Sequence, residues 1–165
     1  MNAVAVVYLE FYLSLFSFAL VAWRYWVPAL GRLPFSRAVA PILLLHSFRH
    51  LGMMYLVPAA VPDAPSGFAA PTAYGDLLTA VLALAALGGL WVSPRAGQAL
   101  VWIFNVVGFA DLALAAVNAQ RFQLVGHAMG VAYLLPVIVV PALLVTHGLT
   151  FWLLVRRPAL APGLA

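Results

Sequence analysis

The chain has 165 residues, of which 66% are hydrophobic and 7% are charged, and its mean hydropathy is +1.08. Soluble domains carry about 25% charged residues, so this composition argues against a soluble domain and predicts a membrane protein. The chain has no cysteine, which excludes disulfides, thiolate metal sites and cysteine nucleophiles. Its net charge is +4, but the arginines are scattered through short connections, so we expect no nucleic-acid partner.

Apolar runs long enough to cross a hydrocarbon core of about 30 Å occur five times along the chain. We therefore predict an all-α membrane protein, in which residues 1–165 form a single transmembrane domain, a five-span helix bundle. No basic residue precedes the first run, so we interpret it as a retained span and not as a signal peptide. The predicted spans are 3–24, 39–57, 74–92, 98–118 and 129–155, and a Pro-rich outer loop covers 57–74.

The arginines outside the spans predict the orientation of the bundle. Most of them flank the span ends on one side, which the positive-inside rule assigns to the cytoplasm, so the N-terminus is outside and the C-terminus is cytoplasmic. The tryptophans lie near the same ends. Because arginine is the only basic residue besides histidine and alanine is abundant, we expect a multi-pass protein of the bacterial inner (plasma) membrane. The cytoplasmic arginines are Arg24, Arg32, Arg37, Arg95, Arg156 and Arg157, and the outer one is Arg121.

The second predicted span carries His46, Arg49 and His50 in the middle of an apolar run. On an α-helix these three side chains fall within an arc of about 100°. A charged side chain at the centre of a bilayer costs about 2.5 to 3.5 kcal/mol, so such residues usually face the interior of a bundle. We therefore expect this face of the second span to form part of a site.

Two acidic residues on other spans reach the same depth. At about 1.5 Å per residue, Glu10, His50 and Asp111 lie roughly 10 Å below the outer surface, and Arg49 is only slightly deeper. The sequence thus predicts that the first, second and fourth spans bring these four residues together in a pocket near the outer leaflet, covered by the Pro-rich loop. We interpret Asp76 as a residue of the first turn of the third span.

This pocket predicts a binding site for a small amphipathic or lipid-like ligand, in a carrier, a sensor or an acid–base enzyme. The planar guanidinium of Arg49 suits a carboxylate or phosphate, while Glu10, His50 and Asp111 would accept or relay protons. One alternative is proton or ion conduction, for which a homo-oligomer would be needed. Another is a purely structural charge knot, in which Arg49 pairs with both acids.

His46 and His147 suggest a different alternative, b-type haem in an electron-transfer protein. Both lie about 13 Å from the cytoplasmic side, on the second and fifth spans, and could be axial ligands. This layout resembles the small membrane subunit of respiratory nitrate reductases, which has five spans, an outer N-terminus and haem ligands on the same two spans. Stacked haems need ligands several turns apart, whereas His46 and His50 are one turn apart, so at most one haem would fit.

A weaker alternative is a metal site. His46 and His50 have the i, i+4 spacing that places two imidazoles on one metal ion. The intervening Arg49 would repel a cation, so we rank the organic ligand above a metal.

Overall fold

The computed structural model describes residues 2–156, which form helices joined by short connections, without a strand. The predicted all-α class is therefore confirmed. Arg157, which we assigned to the cytoplasmic side, lies outside the described residues. The five main helices are α1 (Ala3–Leu30), α2 (Phe35–Ser47), α3 (Ser66–Val92), α4 (Pro94–Arg121) and α5 (Gly130–Arg156).

Side-chain caps and prolines define where these helices begin. The Asn2 side chain accepts a hydrogen bond from the Ala5 amide at 2.9 Å and caps α1. Ser93 separates α3 from α4 and caps α4, with Pro94 at its first position. Proline is favoured there because the first amides of a helix have no intrahelical partner. A single extended residue thus turns the chain back, and α3 and α4 pack along each other as a hairpin.

The helix α2 does not continue as an α-helix but as a 3₁₀ segment, Phe48–Leu56. A 3₁₀ helix has three residues per turn, so side chains three positions apart lie on the same face. The buried residues of the segment are Arg49, Gly52 and Tyr55, and buried His46 precedes them by the same interval. Runs of this length are uncommon in 3₁₀ geometry, and here the geometry decides which side chains enter the bundle.

The helix α1 lies at the periphery and packs mainly on α5. None of the residues Ala3–Val21 is buried. By contrast, α3 packs against α2, the 3₁₀ segment and α4, so it is central to the bundle. Because α1 packs mainly on α5, a space remains between α1 and the rest of the bundle.

Two apolar clusters close the opposite ends of the bundle. One is built around Leu43, Ala83, Phe104 and Leu153. The other lies near the 57–65 loop and is built around Tyr55, Phe68, Leu124 and Ala132. The polar residues buried at mid-height lie between these clusters. The apolar ends therefore hold the helices together, and the polar site occupies the middle.

Four helices are long and apolar enough to span a membrane, namely α1, α3, α4 and α5. This indicates a membrane protein. The predicted second span, 39–57, is not among them, and it corresponds to the 13-residue α2 followed by the nine-residue 3₁₀ segment. Five spans and their orientation stay predictions.

The predicted Pro-rich loop is shorter than 57–74, because α3 begins at Ser66. The carbonyl of Pro65 accepts hydrogen bonds from the Phe68 and Ala69 amides at 2.9 and 2.8 Å, which start the helix. Pro71 lies inside the helix. A proline there cannot donate a backbone hydrogen bond to the Gly67 carbonyl one turn earlier, and the helix nevertheless continues to Val92.

The tight α3–α4 hairpin predicts contrasting effects of alanine at two helical glycines. A Cβ at Gly97 would lie 2.6 Å from the Cα of Leu90, whereas a Cβ at Gly88 would meet nothing within 4 Å. We expect Gly97→Ala to lower the free energy of unfolding by about 1 to 3 kcal/mol through overpacking. Gly88→Ala should raise it by about 0.5 to 1 kcal/mol, because alanine is the better helix former. Unfolding in detergent measures both, and equal effects would contradict this packing.

Candidate functional site

The guanidinium of Arg49 lies at the centre of the bundle, and only 1% of its side chain is exposed. Its Nε donates to Asp76 Oδ1 at 2.7 Å, and its Nη2 donates to Asp111 Oδ2 at 2.5 Å. Its Nη1 donates to the Gly108 carbonyl at 3.1 Å. Charge-assisted bonds of this kind are among the strongest in proteins. We call Arg49, Asp76 and Asp111 the Arg49 cluster, and it joins the 3₁₀ segment to α3 and α4.

Behind the cluster, His147 contacts the guanidinium and Asn105 contacts His147. Arg49 Nη1 lies 3.4 Å from His147 Nε2, and His147 Nδ1 lies 2.8 Å from Asn105 Oδ1. Because arginine can only donate, Nε2 is the accepting nitrogen and the proton of His147 is on Nδ1. The Asn105 amide in turn donates to the His147 carbonyl at 3.3 Å. This assignment leaves His147 as a neutral imidazole that supports Arg49.

His46 lies next to His147 in the same buried layer, and the ring centroids are 4.3 Å apart. Its Nε2 is 2.9 Å from the hydroxyl of Thr146, which is 3.0 Å from the carbonyls of Ala142 and Leu143. The single hydroxyl proton is needed for a carbonyl, so His46 Nε2 is the donor in this contact. Phe104 packs against both imidazole rings.

These contacts do not fit a b-type haem held by His46 and His147. Metal–imidazole bonds are about 2 Å long, so the iron and its porphyrin would have to lie between the two rings. The rings are instead in direct contact, and both Nε2 atoms already face protein partners. The haem alternative therefore finds no room in this arrangement.

Three glycines make space for the polar groups. A Cβ at Gly75 would lie 1.7 Å from Asp111 Oδ1, and a Cβ at Gly52 would lie 2.1 Å from Asp76 Oδ2. A Cβ at Gly108 would lie 2.7 Å from the His147 ring. Any side chain at these positions would displace a charged or polar group, so the glycines are part of how the sequence specifies the site.

The four residues that the sequence predicted together are only partly brought together. Arg49 and Asp111 meet as an ion pair, but Glu10 and His50 lie elsewhere. Glu10 accepts a hydrogen bond from the Tyr133 hydroxyl, because α1 packs on α5. His50 is exposed, and its Nδ1 contacts the Ser47 carbonyl at 2.8 Å.

The 3₁₀ geometry after Ser47 explains why His50 does not join Arg49. The expectation for His50 assumed α-helical rotation, whereas the 3₁₀ segment turns about 120° per residue and directs His50 away from Arg49. For the same reason His46 and His50 do not converge on a metal ion: the first is buried against Thr146 and the second is exposed. Among residues 2–156 no group of three potential metal ligands is close enough to hold an ion.

Asp76 is the site residue that the sequence interpretation missed. It was assigned to the first turn of a helix starting near Tyr74, but α3 begins at Ser66, and Asp76 is an interior residue paired with Arg49. The glycine that precedes it, Gly75, was the available signal, because a glycine beside an acid in an apolar helix indicates close packing.

A cavity of about 890 Å³ opens beside the cluster, and α1, the 3₁₀ segment, α3, α4 and α5 all contribute to its lining. The lining includes all three members of the Arg49 cluster and is otherwise mainly apolar. Of the range predicted as the Pro-rich loop, 57–74, residues 57–65 do not line the cavity, whereas Phe68 and Thr72, which belong to α3, do. The segment between α4 and α5 also lines the cavity, through Leu124, Gly126 and Met129.

Residues 6–155 match a protein family described as "Domain of unknown function (DUF8737)". The chain belongs to this family. No curated protein and no solved structure matches it. The family description names no activity. The features of this chain that bear on its function are the Arg49 cluster and the cavity.

The ion pairs of this DUF8737 protein predict a large effect of Arg49→Met. The substitution leaves two buried carboxylates without their cation, and breaking a buried pair in this way costs about 3 to 5 kcal/mol. We expect the free energy of unfolding in detergent to fall by that amount. Arg95→Met, at an exposed arginine, is the matched control and should change it by less than about 0.5 kcal/mol. Equal effects would mean that the cluster is not buried as described.

Proposed function

We propose that this protein is a five-span integral protein of the bacterial inner membrane that binds a small amphipathic ligand beside Arg49. The fifth crossing would be α2 with its 3₁₀ segment. At rises of about 1.5 and 2.0 Å per residue, these two pieces extend for about 37 Å, which is enough for a core of about 30 Å. Large apolar side chains on the outside support the proposal, including Phe16, Leu84, Ile103 and Val117.

The ends of the helices support the predicted orientation. Exposed Trp23 and Trp91 lie at the same ends as Arg24 and Arg95, and this combination is typical of the cytoplasmic interface. In this orientation the N-terminus is outside, and the cavity lies towards the outer half of the bundle.

Thiol labelling tests the topology, since the chain has no cysteine of its own. We expect Ala59→Cys to react with a membrane-impermeant thiol reagent in intact cells, and Ala96→Cys to react only after the membrane is opened. Leu114→Cys, on the lipid-facing side of α4, is the control that should stay unlabelled in both. Labelling of Ala59→Cys and Ala96→Cys from the same side would contradict a crossing by α3, and labelling of Leu33→Cys in intact cells would contradict a crossing by α2.

The observation that carries the ligand proposal is a buried ion cluster that lines an otherwise apolar cavity. A knot needed only for stability would be better replaced by apolar packing, because buried ion pairs seldom stabilise more than hydrophobic residues of similar volume. An unfilled cavity is also costly, because its lining loses packing contacts. Both costs are explained if the cavity is filled by a molecule with a polar head and an apolar body.

The site favours binding over acid–base catalysis. Each carboxylate of the cluster is already engaged by Arg49, and Glu10 and His50 do not reach the cavity's charged groups. We therefore propose a carrier or sensor. Ion conduction and a homo-oligomer stay predictions from the sequence.

Filling the cavity should abolish ligand binding. Ala115 lines the cavity, whereas its neighbour Leu114 is 53% exposed on the outer face of α4. We expect small amphipathic molecules that co-purify with the protein in neutral detergent, measured by mass spectrometry, to be lost in Ala115→Phe and retained in Leu114→Phe. Identical profiles for both variants would contradict a ligand in this cavity.

A further inference from the structure

We propose that the cavity selects an amphipathic organic cation, and that its carboxylates, not Arg49, recognise the head group. This inference rests on the proposed ligand site and specifies the chemistry of the ligand. It reverses the expectation from the sequence, in which Arg49 would bind a carboxylate or phosphate.

The contacts of Arg49 argue against an anionic ligand. Its Nε, Nη1 and Nη2 each donate to a protein oxygen, two of them to carboxylates at 2.7 and 2.5 Å. Together with the approach of His147 Nε2 to Nη1, these contacts occupy four of the five guanidinium N–H groups, so an anion could bind only the remaining Nη2 hydrogen and would lie next to the Asp111 carboxylate. Like charges at such a distance repel strongly where water is excluded.

The charges that line the cavity leave a negative excess. Arg49 contributes one positive charge, and Asp76 and Asp111 contribute one negative charge each, so the three together carry −1. No other Asp, Glu or Arg among residues 2–156 lines the cavity. An uncompensated charge in an apolar surrounding is unfavourable, and a bound cation would compensate it.

The hydrogen-bonding capacity also points to a donor. Asp76 and Asp111 use Oδ1 and Oδ2, respectively, for Arg49, and their second oxygens, which lie beside Gly52 and Gly75, keep capacity to accept. Thr72 lines the same cavity one helical turn before Asp76, is only 7% exposed, and its hydroxyl has no hydrogen-bond partner among the described residues. A buried hydroxyl without a partner is costly, and the N–H groups of an ammonium head would satisfy it.

The remaining lining determines the rest of the ligand. Apolar side chains from α1, α4 and α5, such as Phe11, Leu112 and Val139, form most of the surface away from the cluster. An aliphatic or aromatic body attached to the cationic head would bury its surface there. The occupant that fits is therefore an amine with an apolar tail.

The test uses the full chain in nanodiscs of phosphatidylcholine and three probes that share one tail: octylamine, octanol and octanoate. Binding is measured by calorimetry against empty nanodiscs. We expect octylamine to bind at least about tenfold more tightly than octanol and octanoate, because a tenfold ratio is a modest gain for one charge pair. Asp76→Asn and Asp111→Asn should each remove this preference. Asp63→Asn, at an acid in the exposed loop, is the matched control and should keep it.

Thr72→Val gives a variant that leaves the ion pairs intact. It removes the unpartnered hydroxyl at nearly constant shape, so folding should be unaffected while octylamine binding weakens several-fold. If octanol or octanoate binds as tightly as octylamine, the cation inference is overturned and the ligand site stands. If no probe binds above empty nanodiscs and Ala115→Phe changes nothing, the proposed function fails together with the inference.

Discussion

The structure depends on holding one arginine between two carboxylates where water is largely excluded. Arg49 connects the 3₁₀ segment to α3 through Asp76 and to α4 through Asp111, so three elements share one electrostatic contact. Desolvating three charged groups is expensive, and the attraction between them compensates only if the geometry is close. The short distances at the cluster show that the surrounding helices are arranged to meet this requirement.

Several local features of the chain serve that arrangement. The 3₁₀ segment, Phe48–Leu56, places Arg49, Gly52 and Tyr55 on one face. Glycines at 52 and 75 let the carboxylates approach, and the neutral His147 accepts from the guanidinium on its inner side. Apolar clusters above and below keep the helices in contact. On the remaining side α1 packs mainly on α5, and there the cavity stays open beside the charges.

The sequence predicted the class of the protein, the approximate positions of α1, α4 and α5, and the proximity of Arg49 and Asp111. Apolar run length and the cost of a buried charge are strong constraints. It did not predict the change from α to 3₁₀ rotation after Ser47, which is decided by packing against α3 and which moves His50 to the outside. Nor did it place Glu10, because nothing in an apolar α1 indicates which neighbour it packs on. Asp76 was missed through the start of α3, as helix boundaries near prolines are hard to locate.

The central claim is that the charges of the Arg49 cluster are kept for binding and not for stability. Its most direct test is the free energy of unfolding of the triple variant Arg49→Met/Asp76→Leu/Asp111→Leu, in which side chains of similar shape replace the whole cluster. Replacing a complete buried ion group in this way is often neutral or stabilising, so we predict a value equal to or above that of the unsubstituted protein. A loss of several kcal/mol, comparable to that expected when only the cation is removed, would show that the cluster is a structural knot.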